Sequence, residues 1–273
     1  MAAALLLAGA AGAATPPAER WQPWAIDGFQ HITSADGLPN EIATAVAEDG
    51  QGFVWVGTVG GVARWDGYQL RTHRFEPGRA GSLPDNVVQV MHRDSAGRLW
   101  IGTSGGGLAR HEPAGDRFVT LGAGPGALAH VSVRALADDG AGGLWVGSDG
   151  GLDHVDAAGG RVTRVVMGDD SPSGLAGTRV AALLLDRTGR LWVGSSHGLF
   201  RRDRGAARFE AVALAAAGRG DGRLPMPESL LEDSAGRIWV GTDRRGAFVL
   251  DADGRSARAV QESRRAAGRE KDL

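Results

Sequence analysis

Short apolar runs separated by turn residues repeat along this chain. In each unit an apolar run, at 42–47, 87–91, 131–137 or 180–185, leads into an Asp-x-x-Gly turn, and a run that is apolar on both faces follows the turn. Asp accepts backbone N–H groups in such turns, and Gly adopts the positive φ that they require. A strand that is apolar on both faces is covered on both faces. The pattern therefore predicts β-strands, and it contains no helical periodicity.

Two more strands are expected in each unit. A glycine pair follows the apolar strand, as at 60–61 and 150–151, and leads into a short run such as 62–65. A second turn then precedes a fourth strand, which is expected to end in an aromatic or β-branched residue. These predicted strand ends are Phe75, Phe118, Val165 and Phe209.

The unit occurs five times around a tryptophan, and successive copies are 45 or 47 residues apart. In each copy an Asp precedes the Trp by six residues. Repeats of this length with four short strands each predict an all-β fold, a β-propeller with five recognisable four-stranded blades. The Asp residues are expected to cap turns, and the Trp residues are expected to fill the core between blades. These framework residues are Asp49, Trp55, Asp94, Trp100, Asp139, Trp145, Asp186, Trp192, Asp233 and Trp239.

The segment Asp36-Gly37-Leu38-Pro39-Asn40 precedes the first Asp-x-x-Gly-x-x-Trp-x-Gly-Thr string, and Ser82-Leu83-Pro84-Asp85-Asn86 opens the second copy. Together with the Gly-x-x-Arg-x-Asp that follows Trp55, these motifs resemble the two-component regulator propeller repeat over residues 28 to 255. The resemblance implies the periplasmic, ligand-sensing half of a hybrid histidine kinase or a diguanylate cyclase. A β-sandwich linker, a membrane helix and an output domain normally follow, and this sequence shows none of them. A truncated sensor and a stand-alone binding propeller both remain open.

Closure of the ring is also open at this stage. Residues 28–32 resemble the end of a blade and could supply the outer strand of the last blade, but residues 255–260 compete for that place. A closed ring of five blades and an incomplete ring are both consistent with the sequence. An incomplete ring would leave two blade faces exposed, which is an aggregation liability.

The two ends of the chain differ from the repeats. Residues 1–14 are small and apolar, too short to span a bilayer, and are predicted to be a signal peptide without a basic start. The propeller is placed at 28–262 and a polar tail at 263–273. The expected location is the periplasm, with a membrane link only through a C-terminal part missing from this sequence.

Composition narrows the chemistry. The formal net charge of −2 offers no basic field for nucleic acid. With no Cys, the chain has no disulfide, thiolate metal site or cysteine nucleophile. Lys271 is the only lysine, which argues against Schiff-base and P-loop chemistry. The seven histidines lack His-x-x-x-His spacing and are interpreted as scattered surface or turn residues. They are His31, His73, His92, His111, His130, His154 and His197. We therefore expect no metal site, no cofactor and no catalytic residue.

The candidate site follows from topology. In a four-stranded blade, the loop between strands two and three and the loop between blades lie on one face of the propeller, around the central funnel. Residues there differ between copies while the framework stays constant, as expected for a ligand site, although ordinary polar loops would look the same. The candidate ligand-binding residues are Asn40, Thr58, Asn86, Ser104, His130, Ser148, Asp149, Arg179, His197, Asp243 and Arg244.

Three functions are weighed on these grounds. The first is a non-catalytic sensor that binds a small molecule or an oligosaccharide and passes the signal to a downstream domain or a kinase partner. The second is a stand-alone binding or scaffold propeller, similar to a lectin. The third is an enzyme similar to streptogramin lyases, which needs a metal with convergent His and Glu; glutamates are scarce at the funnel positions, and this disfavours the enzyme.

Overall fold

The computed structural model describes residues 31–124, 126–165, 177–214, 224–243, 245–254 and 257–260. Within these residues, twenty strands form five antiparallel sheets, each made of four consecutive strands in simple order. These sheets are blades 1 to 5, and the all-β propeller with five four-stranded blades is confirmed. Blade 1 contains β1 (Ala43–Glu48), β2 (Val54–Thr58), β3 (Gly61–Trp65) and β4 (Leu70–His73); blade 2 contains β5 (Val88–Arg93), β6 (Leu99–Thr103), β7 (Leu108–Glu112) and β8 (Arg117–Leu121); blade 3 contains β9 (Val133–Asp138), β10 (Leu144–Ser148), β11 (Gly151–Val155) and β12 (Val162–Arg164); blade 4 contains β13 (Val180–Leu185), β14 (Leu191–Ser195), β15 (Gly198–Arg202) and β16 (Glu210–Val212); blade 5 contains β17 (Pro227–Glu232), β18 (Ile238–Thr242), β19 (Ala247–Leu250) and β20 (Ala257–Ala259).

The first strand of each blade is the innermost. β1 contacts β5, β5 contacts β9, β9 contacts β13, and β13 contacts β17, so these five strands lie side by side around the middle of the propeller. Helical structure in the described residues consists of two 3₁₀ turns, Ser34–Asp36 and Pro113–Gly115. None of the described residues forms a helix with the length and apolar character to cross a membrane.

The Asp-x-x-Gly turns form as predicted. Asp94 Oδ1 accepts hydrogen bonds from the backbone N–H groups of Ala96 and Arg98, at 3.1 and 2.8 Å. Gly97 takes a φ of +80°, which a side chain would disfavour. The other oxygen of Asp94 accepts from the indole Nε1 of Trp100 at 2.7 Å, so that the turn is tied directly to the core.

Neighbouring blades pack through their second strands. Trp55 is fully buried, and its ring lies against His111 and Phe118 of blade 2, with centroids 4.7 and 6.3 Å apart. Trp100 and Trp192 are also fully buried, and Trp145 is buried, which confirms their predicted place between blades. Trp239 differs, because it is only half-buried.

Four sequence-based expectations require comment. Ala257–Ala259 forms the outer strand of blade 5, which favours the C-terminal candidate; most of the competing 28–32 segment lies outside the described residues. The predicted ends of the fourth strands are wrong in detail, since β4 ends before Phe75, Phe118 is the second residue of β8, and Phe209 precedes β16. His111 is buried against Trp55 and is therefore not a surface residue. The proposed signal peptide, residues 1–14, and the tail, 263–273, lie outside the described residues.

Candidate functional site

Every innermost strand carries a β-bulge at the same position. In blade 3, Val133 pairs with Ser148 and Ala135 pairs with Gly147, which leaves Arg134 without a partner across the ladder. The same irregularity occurs at the corresponding place in the other four blades. A bulge bends its strand and re-aims the extra side chain out of the regular ladder. The five extra residues, here called the bulge set, are Thr44, Gln89, Arg134, Ala181 and Glu228.

The bulge set brings charged groups from different blades together. Arg134 of blade 3 forms a two-pronged ion pair with Asp149, in which Nη2 donates to Oδ2 at 2.9 Å. Its Nη1 also donates to Gln89 Oε1 of blade 2 at 3.4 Å. Arg179 Nη2 of blade 4 donates to Glu228 Oε1 of blade 5 at 2.6 Å. These five residues link blade 2 to blade 3 and blade 4 to blade 5, and they are here called the funnel network.

Electrostatics couples the two halves of the funnel network. The hydrogen bond that Arg134 donates to Asp149 raises the pKa of Arg134 above its ordinary value despite partial burial, and the charges of Asp149 and Glu228 act in the same direction. Conversely, the hydrogen bond from Arg134 holds the pKa of Asp149 below its ordinary value. Arg134 and Asp149 therefore stay charged at neutral pH. The negative charge of Glu228 in blade 5 acts on Arg134 in blade 3.

The predicted funnel face exists. The loop between strands two and three of each blade bonds to the segment that enters its first strand: Val59 N donates to Ile42 O, Ser104 N to Val87 O, Asp149 N to Ser132 O, Ser196 N to Arg179 O, and Asp243 N to Met226 O, at 2.9 to 3.3 Å. Both kinds of loop therefore lie on one face, as the topology requires. The bulges lie at the start of the first strands, next to these loops.

Several predicted residues occupy this face with their polar atoms partly engaged. Asn40 Oδ1 accepts from Ile42 N at 2.9 Å, and Asn86 Oδ1 accepts from Phe75 N at 2.8 Å. Ser104 is half-buried. Exposed His130 uses Nδ1 to accept from Ser132 N at 3.0 Å, which directs Nε2 away from that bond. These contacts fix the side chains in place.

Blades 4 and 5 contribute the remaining described residues. His197 Nδ1 lies 3.1 Å from Thr178 Oγ1, and Asp243 Oδ1 accepts from Met226 N at 3.4 Å. Both side chains are exposed. Of the predicted residues, Asp149 and Arg179 belong to the funnel network. Arg244 lies outside the described residues.

Thr58 and Ser148 differ from the expectation. Both are fully buried, and their hydroxyls bridge the turn between strands two and three. Thr58 Oγ1 donates to Gly61 O at 2.8 Å and accepts from Gly60 N, and Ser148 Oγ makes the same pair of bonds with Gly151 O and Gly150 N. Burial and full use of the hydroxyl assign them to turn stabilisation rather than to ligand contact.

Arg134, Glu228 and Gln89 were missed by the sequence argument, which considered loops only. A signal was present, because each lies five residues before the turn Asp, at a position occupied by Thr, Gln, Arg, Ala and Glu in the five copies. A polar residue at one position of an otherwise apolar innermost strand indicates that this position faces away from the core.

Other candidate chemistry is weaker. Among the described residues, no group of three or more His, Asp or Glu side chains is placed to hold a metal ion. A cleft of about 380 Å³ lies at the outer rim between blades 1 and 2, with four arginines in its wall. Three of these arginines are already paired with carboxylates, Arg71 with Asp116, Arg79 with Glu76, and Arg117 with Glu112.

Comparison with known proteins agrees with the repeats. A family model described as two component regulator propeller matches residues 37–60, 82–105, 174–197 and 225–244, which belong to blades 1, 2, 4 and 5. No curated protein sequence matches the chain.

Solved structures share the architecture. The extracellular domain of BT4673 from B. thetaiotaomicron, assigned as a hybrid two component system, is 20% identical with a TM-score of 0.60, and the match covers 76% of this chain and 27% of that chain. PorZ, an essential surface component of the type-IX secretion system of Porphyromonas gingivalis, is 20% identical with a TM-score of 0.62, covering 85% and 35%. Virginiamycin B lyase from Staphylococcus aureus is 12% identical with a TM-score of 0.59, covering 81% and 71%. At these identities the similarity shows the fold alone. The match spans only 27% of the BT4673 chain and 35% of the PorZ chain.

Proposed function

We propose that this chain, a propeller in which four repeats match the two component regulator propeller model and whose fold resembles the extracellular domain of a hybrid two component system, is a ligand-binding sensor module without catalytic activity of its own. The proposed ligand is a small molecule or an oligosaccharide. The proposed location is the periplasm. A kinase or cyclase domain, as a downstream domain or a partner protein, would read the binding event.

The bulge set is the observation that carries the proposal. Five blades share one framework, yet the bulged position holds a different side chain in each blade, and the bulge turns it away from the ladder. Strand positions are held more rigidly than loop positions, so these side chains form a preorganised polar surface. A repeated scaffold with one variable position per repeat is suited to recognition.

The funnel network gives this surface both charges. Arg134 and Arg179 offer planar donors for hydroxyl or carboxylate oxygens, while Asp149 and Glu228 accept hydrogen bonds from hydroxyls. Hydroxyl-rich ligands need both kinds of group at close range. Binding can tie together blades 3, 4 and 5, because Arg179 and Glu228 belong to different blades. A change in the relative position of the blades is the signal that an output domain would read.

The test is a screen of neutral and acidic oligosaccharides for a change in melting temperature, since a ligand of the folded state stabilises it by mass action. The full chain and two variants are compared. Arg134→Met removes the centre of the funnel network, whereas Arg79→Ala removes an exposed rim arginine that pairs with Glu76. We expect at least one oligosaccharide to raise the melting temperature of the full chain and of Arg79→Ala, and to act much less on Arg134→Met. Equal shifts in Arg134→Met and the full chain would contradict binding at the funnel network.

A further inference from the structure

Side chains at three repeat positions tie blade 4 to blade 5. Arg190 of blade 4 donates to two backbone carbonyls in the outer turn of blade 5, at 2.7 and 3.1 Å. Glu232 Oε2 of blade 5 accepts from the backbone N–H of Arg187 at 2.9 Å. Leu250 is fully buried in the cluster that contains Trp192. A cation, a carboxylate and an apolar side chain therefore close this interface.

The interface between blades 2 and 3 has the same three ties. Arg98 donates to two backbone carbonyls of blade 3, one of them at 2.7 Å. Asp138 Oδ1 of blade 3 accepts from the backbone N–H of Ser95 at 3.1 Å. Val155 is fully buried in the cluster that contains Trp100. The three side chains occupy the same repeat positions as in the interface between blades 4 and 5.

Two of these positions are changed in the interface between blades 3 and 4. Gly143 stands where Arg98 stands in blade 2, so no guanidinium can reach across from that position. A Cβ on Gly143 would lie 2.9 Å from His154 Nε2, so the histidine fills the space beside it. Leu185 stands where the carboxylate stands, and a Cβ on Gly140 would lie 3.4 Å from Leu185 Cδ2. The two residues therefore face each other, but leucine cannot accept a hydrogen bond from the Gly140 N–H.

The third position holds a charge in this interface. Arg202 takes the place of Val155 and Leu250, since each of the three pairs with the residue that precedes the repeat Trp. Its guanidinium lies over the rings of Trp145 and Phe209, 4.6 and 5.0 Å from their centroids. Burial lowers the pKa of Arg202, and no carboxylate among the described residues opposes that effect. Trp145 is accordingly 8% exposed, whereas the corresponding Trp of blades 2 and 4 is fully buried.

The inner edge of the same interface is closely packed. A Cβ on Gly147 would meet Val180 Cγ1 at 2.7 Å, so the first strand of blade 4 lies directly against blade 3. The backbone N–H of Gly177 also donates to Gly150 O at 2.9 Å, beside the inner strands. Blades 3 and 4 are therefore held at the inner edge, while the three side chains that fix the outer edge of two other interfaces are replaced.

We propose that the interface between blades 3 and 4, here called the seam, is a hinge about which blades 1 to 3 move as one body and blades 4 and 5 as another. Blade 1 stays with blades 2 and 3, because Arg71 of blade 1 pairs with Asp116 of blade 2 at 2.8 Å. The contacts of the funnel network follow the same division, since they join blade 2 to blade 3 and blade 4 to blade 5. Motion about the inner strands β9 and β13 opens the outer edge of the seam first.

The seam gives the proposed signal a place in the molecule. A ligand that contacts both Arg134 of blade 3 and Arg179 of blade 4 would span the seam and change the balance between its open and closed forms. This use of the seam rests on the proposed function. The seam itself does not, because it follows from the contacts between blades alone.

The test measures distances between spin labels on the outer strands of neighbouring blades by pulsed electron paramagnetic resonance. The full chain has no Cys, so labels attach only to introduced cysteines. Thr120, Thr163, Ala211 and Arg258 are exposed and lie in the outer strands of blades 2, 3, 4 and 5. The labelled pairs 120/163 and 211/258 report on the two tied interfaces, and the pair 163/211 reports on the seam.

We expect a broader distance distribution for 163/211 than for the two reference pairs, with the extra width toward longer distances. Leu185→Glu places a carboxylate opposite the Gly140 N–H, as Glu232 lies opposite the Arg187 N–H, and should narrow the distribution for 163/211. The reciprocal change Glu232→Leu removes a tie between blades 4 and 5 and should broaden the distribution for 211/258. It also keeps the proposal testable if Leu185→Glu does not fold.

Equal widths for the three pairs would overturn the proposal, and so would a distribution for 211/258 that Glu232→Leu leaves unchanged. These measurements need no ligand, so a failed oligosaccharide screen does not affect them. Conversely, equal widths would remove the hinge and leave ligand binding at the funnel network as it stands.

Discussion

The indole Nε1 of Trp192 donates a hydrogen bond to Asp186 Oδ2 at 2.9 Å, while Asp186 Oδ1 accepts from the turn N–H groups of Thr188 and Arg190. One carboxylate therefore ties the turn to the blade core. The same pairing recurs in blades 1, 2 and 5. In blade 3 a histidine takes part instead, since His154 Nε2 lies 2.7 Å from Asp139 Oδ2 and its ring packs on Trp145.

Replacement of Asp186 by Asn should destabilise the fold. The amide has one acceptor oxygen where Asp186 has two, so the turn N–H groups on Oδ1 and Trp192 Nε1 on Oδ2 cannot both keep their partner. We expect the free energy of unfolding in urea to fall by about 3 kcal/mol. The matched variant Asp233→Asn, at the less buried copy, should lower the free energy of unfolding much less, because solvent screens that carboxylate. Equal losses at the two positions would contradict the difference in burial between blades 4 and 5.

Gly102 is a position where the backbone of one blade approaches the next. An added Cβ would lie 2.6 Å from Cγ1 of both Val133 and Val90. Val133 is buried in the hydrophobic core, and Val90 is partly buried and packs against that core. Gly102→Ala should therefore lower the free energy of unfolding by about 2 kcal/mol through overpacking. Gly122→Ala is the control, because nothing lies within 4 Å of its added Cβ. A neutral Gly102→Ala would show that the blades can move apart without cost.

His73 should contribute to the pH dependence of stability. Burial lowers its pKa to about 4, and the charges of His111, Arg64 and Arg71 act in the same direction, whereas Asp116 opposes them. The unfolded chain therefore binds a proton that the folded chain does not bind between about pH 6.5 and 4. The stabilisation is complete above pH 6.5 and is lost as the pH falls toward 4. In His73→Gln, urea unfolding at pH 7 and 4.5 should show a smaller difference than in the unaltered chain; an unchanged difference would exclude His73 as its source.

The ion pair of Arg134 and Asp149 makes a separate prediction. Since the hydrogen bond from Arg134 lowers the pKa of Asp149, Arg134→Met should raise that pKa toward the ordinary value for aspartate. Carboxyl NMR titration of Asp149 measures the change directly, with Arg79→Ala as the control. A pKa that stays low in Arg134→Met would mean that other groups hold the carboxylate charged.

Much of the fold could be predicted from the sequence, because the signals are local. The Trp spacing and the Asp-x-x-Gly turns predicted five blades, and strands β1, β5, β9 and β13 begin and end within two residues of the expected positions. Such turns depend on residues close in the chain, so they can be recognised one by one.

The candidate site was predicted only in part, because its geometry depends on register. The bulge that re-aims Arg134 and Glu228 is a pairing irregularity, and the polar residues at this strand position indicate that the position faces away from the core but do not indicate the bulge itself. Thr58 was placed on the correct loop, but its hydroxyl serves the turn. Trp239 is only half-buried because of what packs beside its blade, and its own repeat does not indicate that.

The central claim is that ligand binds on the funnel face, and amide hydrogen exchange tests it most directly. The exchange of the full chain is measured with and without the oligosaccharide that raises the melting temperature most. We predict slower exchange at 148–151, 178–180 and 226–229, with little change in the opposite turns at 94–98 and 186–190. Protection confined to those turns, or to the outer rim at 71–82 and 115–118, would contradict the account.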